Sequence, residues 1–388
     1  MKKLTKLASL LLATAMFAGA LAGCGAGNGA KTASNGDTFK IGAIGPLTGG
    51  AAIYGNAAIN GAQIAVDEIN ANGGINGFQV EFRAEDDVHD AEKSVNAYNS
   101  LKDWGMQVLC GTVTTTPCIA VAEKTSADGM LQVTPSASST EVIVNDNVFQ
   151  TCFTDPAQGT LSADYIAAHF ADAKIGVIYN SQEVYSTGVR DTFVAEAAKL
   201  GLEILVEEAF TNETNTDFTT QLQKCKDAGV DLIFYPYYYQ EATTILTEMN
   251  DMDYAAQLFG VDGLDGILTV EGFDLSLAEG VYLLTPFIAV ADSSKDFVSK
   301  YQEKFGEVPN QFAADGYDTV YVIKAALEKA NATPSMSAKE IGDAAIPAMT
   351  TISVNGLTGS NMTWLASGEV SKDPQAVIIK DGAYAAVE

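Results

Sequence analysis

The run GTVTTTPCIAVAEKTSADGMLQVTPSASS, residues 111–139, holds two hydroxyl-rich turns. Each follows a short apolar run that reads as a buried strand: Val108, Leu109 and Cys110 before the first, residues 130–133 (MLQV) before the second. Short apolar runs bounded by turn residues fit strands covered on both faces. Between them Ile119, Ala120, Ala122 and Glu123 continue a helical pattern opened by Pro117. Proline suits the first helical position, where the N–H it lacks would have no partner. Thr114, Thr115 and Thr116 therefore sit at a helix N-terminus, whose free N–H groups and positive dipole end attract a carboxylate. The second turn, residues 134–139 (TPSASS), adds hydroxyls and carbonyls. Two such strands side by side place both turns at one sheet edge, the usual ligand crevice of an open α/β sheet. Serine and threonine are also good helix caps, and the stretch alone is compatible with that plainer role.

Outward from this run, strand and helix patterns alternate. Residues 39–45 (FKIGAIG) read as a buried first strand, followed by a glycine-rich turn over 46–55 (PLTGGAAIYG). A helix follows with Ile59, Ala62, Ala65, Val66 and Ile69 at a 3.6-residue period, ended by Asn72, Gly73 and Gly74. Phe78, Val80 and Phe82 alternate as a second strand. Asp155 and Pro156 mark a change of unit, after which residues 174–179 (KIGVIY) start a second series through 202–206, 232–235 and 258–261. The pattern predicts two α/β units with parallel sheets.

In the second unit three strand ends carry polar groups. Tyr185 follows the opening strand, residues 235–239 (YPYYY) follow another, and Asp262 ends the run LFGVDG. Ordinary packing accounts for exposed tyrosines, and an aspartate before glycine is a common turn residue.

The N-terminal 24 residues stand apart. Lys2, Lys3 and Lys6 form a positive region, residues 10–20 an apolar one too short to span a bilayer, and Leu21, Ala22, Gly23 and Cys24 a cleavage-like site. This is the form of a secretory signal, and Leu-Ala-Gly-Cys resembles a bacterial lipobox, which implies cleavage before Cys24 and lipidation of its thiol. Residues 25–38 read as a flexible tether. No later segment is apolar for long enough to make a transmembrane helix. Removing 24 residues from 388 leaves 364, enough for two domains. Removing the three signal lysines from 22 basic residues leaves 19 against 49 acidic, a net of −30. Nucleic acid is excluded as a partner, because phosphate binding needs a basic face.

Cys110, Cys118, Cys152 and Cys225 remain. No CxxC pattern occurs, and with only His89 and His169 there is no His-rich metal site. Cys110 and Cys118 flank the first turn and are the one candidate disulfide; buried free thiols are the simpler reading. No phosphate-binding loop, dinucleotide fingerprint, nucleophile elbow or H-E-x-x-H occurs. His89, beside Asp86, Asp87 and Asp90, reads as a surface residue at a strand-to-helix turn, and the aspartates as caps. No catalytic residue, metal or cofactor is assigned.

The residues together carry a resemblance. Residues 41–87 (IGAIGPLTGGAAIYGNAAINGAQIAVDEINANGGINGFQVEFRAEDD), the run from Val108, YNSQEVYSTGVR and LFGVDGL resemble the branched-chain amino-acid (Leu/Ile/Val) family of type I periplasmic binding proteins. The resemblance covers 39–388. It implies an α/β fold of two Rossmann-like lobes joined by a three-strand hinge near 154–156, 285–287 and 366–372. The lobes would be 39–155 with 287–368, and 156–286 with 369–388. It further implies a monomeric, extracytoplasmic lipoprotein that captures an amino acid and delivers it to the membrane subunits of an ABC permease. Carried over residue by residue, Thr115, with Thr114 beside it, grips the ligand carboxylate, and Ser138 touches carboxylate and ammonium. The Ser136 carbonyl, with Ala137 beside it, faces the ammonium. Tyr54, Tyr185 and Tyr238 line the walls, and Asp262 pairs with the ammonium. Familiar Leu/Ile/Val binders carry a glutamate at that last position, so ligand size stays open. The family's first-domain disulfide is missing, because its positions fall at Val88 and Thr114. A related small amide, an exported enzyme or a sensory module on the same scaffold stand as alternatives.

Overall fold

The strand patterns fold into two sheets. A computed structural model describes residues 37–372 and 374–387; the signal, Cys24 and nearly all of the tether lie outside the described residues. The first sheet holds β1 (Phe39–Gly45), β2 (Val80–Asp86), β3 (Val108–Gly111), β4 (Gln132–Thr134) and β5 (Val148–Gln150) in the order β2-β1-β3-β4-β5, all parallel. Helices α1 (Ala52–Ala71), α2 (Ala91–Trp104) and α3 (Thr115–Asp128) make its first crossovers.

Side-chain alternation sends this sheet's residues to two cores. Ile41, Ala43 and Val108 pack with Ala62, Val66 and Ile69 of α1. Ile44 and Leu109 pack with Tyr98 and Leu101 of α2 and Val121 of α3. Both faces are covered, which is why these strands read as continuous apolar runs.

Helix α4 (Asp155–His169) leaves the first sheet and opens the second series. There β6 (Lys174–Asn180), α5 (Val184–Leu200), β7 (Glu203–Phe210), α6 (Thr219–Ala228), β8 (Leu232–Tyr235), α7 (Tyr239–Asp251), β9 (Gln257–Gly260) and β10 (Tyr282–Thr285) follow in turn. The chain then returns to the first half as α8 (Lys295–Phe305), α9 (Gln311–Lys329) and α10 (Ala338–Met349), and ends in β11 (Gln375–Lys380) and β12 (Ala383–Ala386) on the second sheet. That sheet has the order β12-β11-β10-β9-β8-β6-β7. Strand β11 runs antiparallel to both its neighbours, β10 and β12, a departure from the all-parallel expectation. A short turn joins β11 to β12, and so short a connection can only reverse the strand. The chain thus passes between the sheets three times: after β5, after β10 and before β11.

Helix α9 sits against α1 at backbone distance. A Cβ on Gly61 would collide with the Ala313 carbonyl, and one on Gly316 with the Ala58 carbonyl. Glycine at both positions therefore permits this crossing. A buried cation ties two of the passages, those after β5 and before β11, to α9. Lys372 Nζ donates to Asp315 Oδ1 at 2.6 Å, to the Thr151 carbonyl at 2.9 Å and to Thr358 Oγ1 at 2.8 Å. Cys110, Cys118, Cys152 and Cys225 are buried free thiols, so the candidate Cys110–Cys118 bridge is not formed.

Candidate functional site

Both sheets share one strand-order logic. In the first, β1 lies between β2 and β3; in the second, β6 lies between β7 and β8. Each therefore has a topological switch point, where crossovers leave in opposite directions and open a crevice at the carboxyl ends of the strands. The two crevices face each other, and the segments that follow their strands line one cavity. Tyr54 comes from α1, Val113, Thr114 and Thr115 from the end of β3 and the start of α3, and Ser136 and Ser138 from the turn after β4. Tyr185 comes from α5, Tyr238 from the turn after β8, and Asp262 and Gly263 from the turn after β9. Phe312 of α9 completes the lining.

Eight of the nine ligand-binding residues named from the sequence thus meet in one place; Ala137 does not. Its N–H donates to Thr134 Oγ1 at 3.0 Å and its carbonyl accepts from Gln150 Nε2 at 2.8 Å. Its methyl packs with Cys118, Ala122 and Val142. Both backbone groups are spent holding the turn, so Ala137 shapes the turn without facing the cavity.

Two local expectations shift. Helix α3 begins at Thr115 with Thr114 as N-cap, which puts Pro117 at its third position instead of its first. The consequence for the site is unchanged, because the first four N–H groups of a helix are all free. The glycine-rich turn is shorter than expected: α1 starts at Ala52, so Tyr54 is held on a helix.

Tyr54 links the halves. Its hydroxyl donates to the Gly263 carbonyl and accepts from the Tyr239 N–H at 3.2 Å. Its ring packs on Phe312 at 4.5 Å and edge-on to Tyr238 at 5.1 Å between centroids. Gly263 is required by close approach, since a Cβ there would come within 2.7 Å of the Tyr237 carbonyl. Between these walls only about 20 Å³ admits the centre of a water molecule. That is close to one water's worth. The walls nearly meet, which describes a closed cleft.

Asp262 is the charged group of the site and is 5% exposed. Its Oδ1 accepts from the Tyr185 hydroxyl at 2.5 Å, its N–H donates to Gln158 Oε1 at 3.2 Å, and its carbonyl accepts from Gln311 Nε2 at 2.9 Å. Burial pushes its carboxyl up to about 6, with the Tyr185 and Gln158 hydrogen bonds pulling the other way. Asp155, also fully buried, lies in its field and is pushed well above the usual carboxylate range by desolvation. The lining contains no lysine or arginine. A buried carboxylate without a basic partner favours whatever cation enters. Opposite it stand the free N–H groups and hydroxyls at the start of α3, which favour an anion. The arrangement suits a small zwitterion.

Sequence reasoning missed Val113, Gly263 and Phe312. Val113 and Gly263 adjoin residues already singled out, and adjacency was their only signal. Phe312 lies far along the chain at the start of α9 and carries no local sign of its role. His89 does lie at the β2-to-α2 turn as expected, and Asp90 caps α2, accepting from Lys93 N at 2.8 Å. The imidazole, however, is turned inward: its Nδ1 lies 2.9 Å from Thr114 Oγ1.

The sequence profile described as periplasmic binding protein matches residues 38–383. The Leu/Ile/Val-binding protein BraC3 of Rhizobium johnstonii is 31% identical over 306 residues, 77% of this chain and 82% of that protein. The leucine-, isoleucine-, valine-, threonine- and alanine-binding protein of Pseudomonas aeruginosa is 28% identical over 297 residues, 76% of this chain and 79% of its own length. Among solved structures, the branched-chain amino acid transporter substrate-binding protein LivJ of Streptococcus pneumoniae, in complex with isoleucine, superposes with a TM-score of 0.81 at 28% identity, covering 90% of this chain and 99% of that one. Profile, relatives and architecture agree, and this chain belongs to the branched-chain amino-acid family of type I periplasmic binding proteins.

Proposed function

We propose that this protein captures an α-amino acid, branched-chain or otherwise aliphatic, in the cleft between its halves and delivers it to the membrane subunits of an ABC importer. One observation carries the reading. The cavity sets a hydroxyl-bearing helix N-terminus opposite the buried Asp262 carboxylate, with aromatic walls between and no basic side chain in the lining. Thr115 and Ser138 hold the ligand carboxylate, while Asp262 and the Ser136 carbonyl hold the ammonium. The relatives' names support the aliphatic side chain, and so do the apolar faces of Val113 and Phe312. The protein binds and releases its ligand without turnover.

The moving parts in this reading are 39–155 with 287–368 and 156–286 with 369–388. They rotate about the three passages near 154–156, 285–287 and 366–372. A ligand that touches both parts binds the closed form better than the open one, and that difference closes the cleft. The protein is exported, and no described helix is long and apolar enough to cross a membrane. We further propose that lipid on Cys24 holds it, as a monomer, at the outer face of the membrane. Titration calorimetry against the twenty amino acids and a few amides tests the ligand class. Binding of leucine, isoleucine or valine is expected; heat from none of the amino acids would overturn the reading.

A further inference from the structure

The turn that carries His89 is costly to form. Val88 and His89 both have left-handed backbones, with φ of 52° and 57°. That conformation is an outlier for a β-branched residue. Two carboxylates hold it: Asp86 Oδ1 accepts from Val88 N and Asp87 Oδ1 from His89 N, each at 2.9 Å. Strain that the surroundings actively maintain points towards function. The result is an imidazole aimed across the mouth of the cleft, edge-on to Tyr238 at 5.6 Å between ring centroids.

On the other side stands Glu183. It occupies the N-cap position of α5 yet makes no capping hydrogen bond. Instead its side chain, only 8% exposed, reaches towards the first half. Its Oε2 accepts from Thr116 Oγ1 at 3.0 Å, and its Oε1 lies 3.6 Å from His89 Nε2. Asn212 Nδ2 donates to Oε1 at 3.1 Å and holds the carboxylate from behind. His89 Nε2 is buried, makes no hydrogen bond, and faces Glu183 Oε1 across the gap. Through Nδ1 the same ring touches Thr114, the N-cap of α3 and part of the cavity lining.

We propose that His89 and Glu183 form a latch across the cleft mouth: positioning residues that join the two halves in the closed form and orient Thr114 against the ligand. Neither side chain lines the cavity. The contacts between the halves exist only when the cleft is shut, so they add to the affinity for ligand and not to the stability of the open, empty protein. The role rests on the reading that the cleft closes on an amino acid.

Glu183→Ala, His89→Ala and the double variant, titrated with L-isoleucine, test it. Glu183→Ala removes two hydrogen bonds to a charged group, one of them between the halves, and should weaken binding about tenfold. The loss should come through faster release. His89→Ala should weaken it less, and the double variant should be no weaker than Glu183→Ala by more than about twofold, because the two act as a unit. Ligand-free melting should change far less than affinity does, by no more than the loss of the contacts to Asn212 and Thr114 that lie within one half, a readout that a merely structural role would move. Glu183→Ala binding isoleucine as tightly as wild type, or losing as much ligand-free stability as affinity, would overturn the latch alone. A wild type that binds none of the twenty amino acids would overturn the amino-acid reading itself, and the latch with it.

Discussion

Replacing Asp262 with asparagine should pull affinity and stability in opposite directions. The amide keeps the carbonyl oxygen that accepts from Tyr185 and roughly the same volume, so packing is little disturbed. What changes is charge. In the closed cleft the ligand ammonium would lose its buried partner, a loss of about 2–5 kcal/mol, which corresponds to about thirtyfold to a few thousandfold in affinity. In the closed cleft without ligand the effect reverses. Burial raises the Asp262 carboxyl from 3.8 to about 6. That is a shift of roughly two units, or about 3 kcal/mol, disfavouring the ionised form. A carboxyl raised on folding destabilises the native state as pH rises from its unfolded pKa to its folded one. The ligand-free closed form of the wild type should therefore lose stability between about pH 4 and 6, and that of Asp262→Asn should not, so the ligand-free variant should be the more compact of the two at pH 7. The wild type's affinity should also fall as pH drops below about 6, because the carboxylate must shed its proton before it pairs with the ammonium. The variant's affinity should stay flat. Calorimetry at several pH values together with small-angle scattering of the ligand-free proteins reads all of these. A variant that binds like wild type at pH 7 would refute the assignment of Asp262 as the ligand's charge partner.

Three further outcomes concern the ligand carboxylate, the buried lysine and the N-terminal cysteine. Thr115→Ala and Ser138→Ala should each weaken amino-acid binding by about 1.5–3 kcal/mol, the worth of a hydrogen bond to a charged group; unchanged titrations in both would move the ligand elsewhere. Lys372→Met strands the buried Asp315 carboxylate 2.6 Å from its former partner. It should destabilise the fold by about 3–5 kcal/mol in a urea titration, and an unchanged midpoint would show that the ion pair contributes nothing. Cys24→Ser should free the protein from cell membranes without altering its affinity, read by fractionation and calorimetry. A wild type already wholly soluble would count against the lipid anchor.

Much of the architecture was legible because its causes are local. Strands covered on both faces must be apolar along their length, so residues 39–45 and Val108, Leu109 and Cys110 announce themselves. In α1 the periodic positions Ala62, Ala65, Val66 and Ile69 are buried with Ile41 and Ala43 of the first strand, so the period showed. Helix starts were read less well. Thr115 and Thr116 precede a proline and look like cap residues, yet both lie inside α3. Proline is tolerated throughout the first turn, so it marks the neighbourhood of a start and not its residue. The β11–β12 hairpin did carry a sign that the strand reading passed over: Asp381 and Gly382, both with positive φ, form the two-residue Asp-Gly turn that reverses a strand.

The sequence by itself determined two α/β units, the helix N-terminus that favours an anion, the family resemblance and, through it, most of the cavity lining. These depend on periodicity, capping chemistry and motifs, all of which act over short distances along the chain. Only the tertiary structure decided which groups face each other. It turned Ala137 away, because Thr134 and Gln150 claim both of its backbone groups. It brought Phe312 from α9 onto Tyr54, through a helix crossing that Gly61 and Gly316 allow. It also converted His89, which reads as a surface residue, into a bridge between Thr114 and Glu183. Contacts of that kind arise when two sheets meet edge to edge, and a burial that depends on a partner far along the chain leaves no periodic trace in the residues on either side.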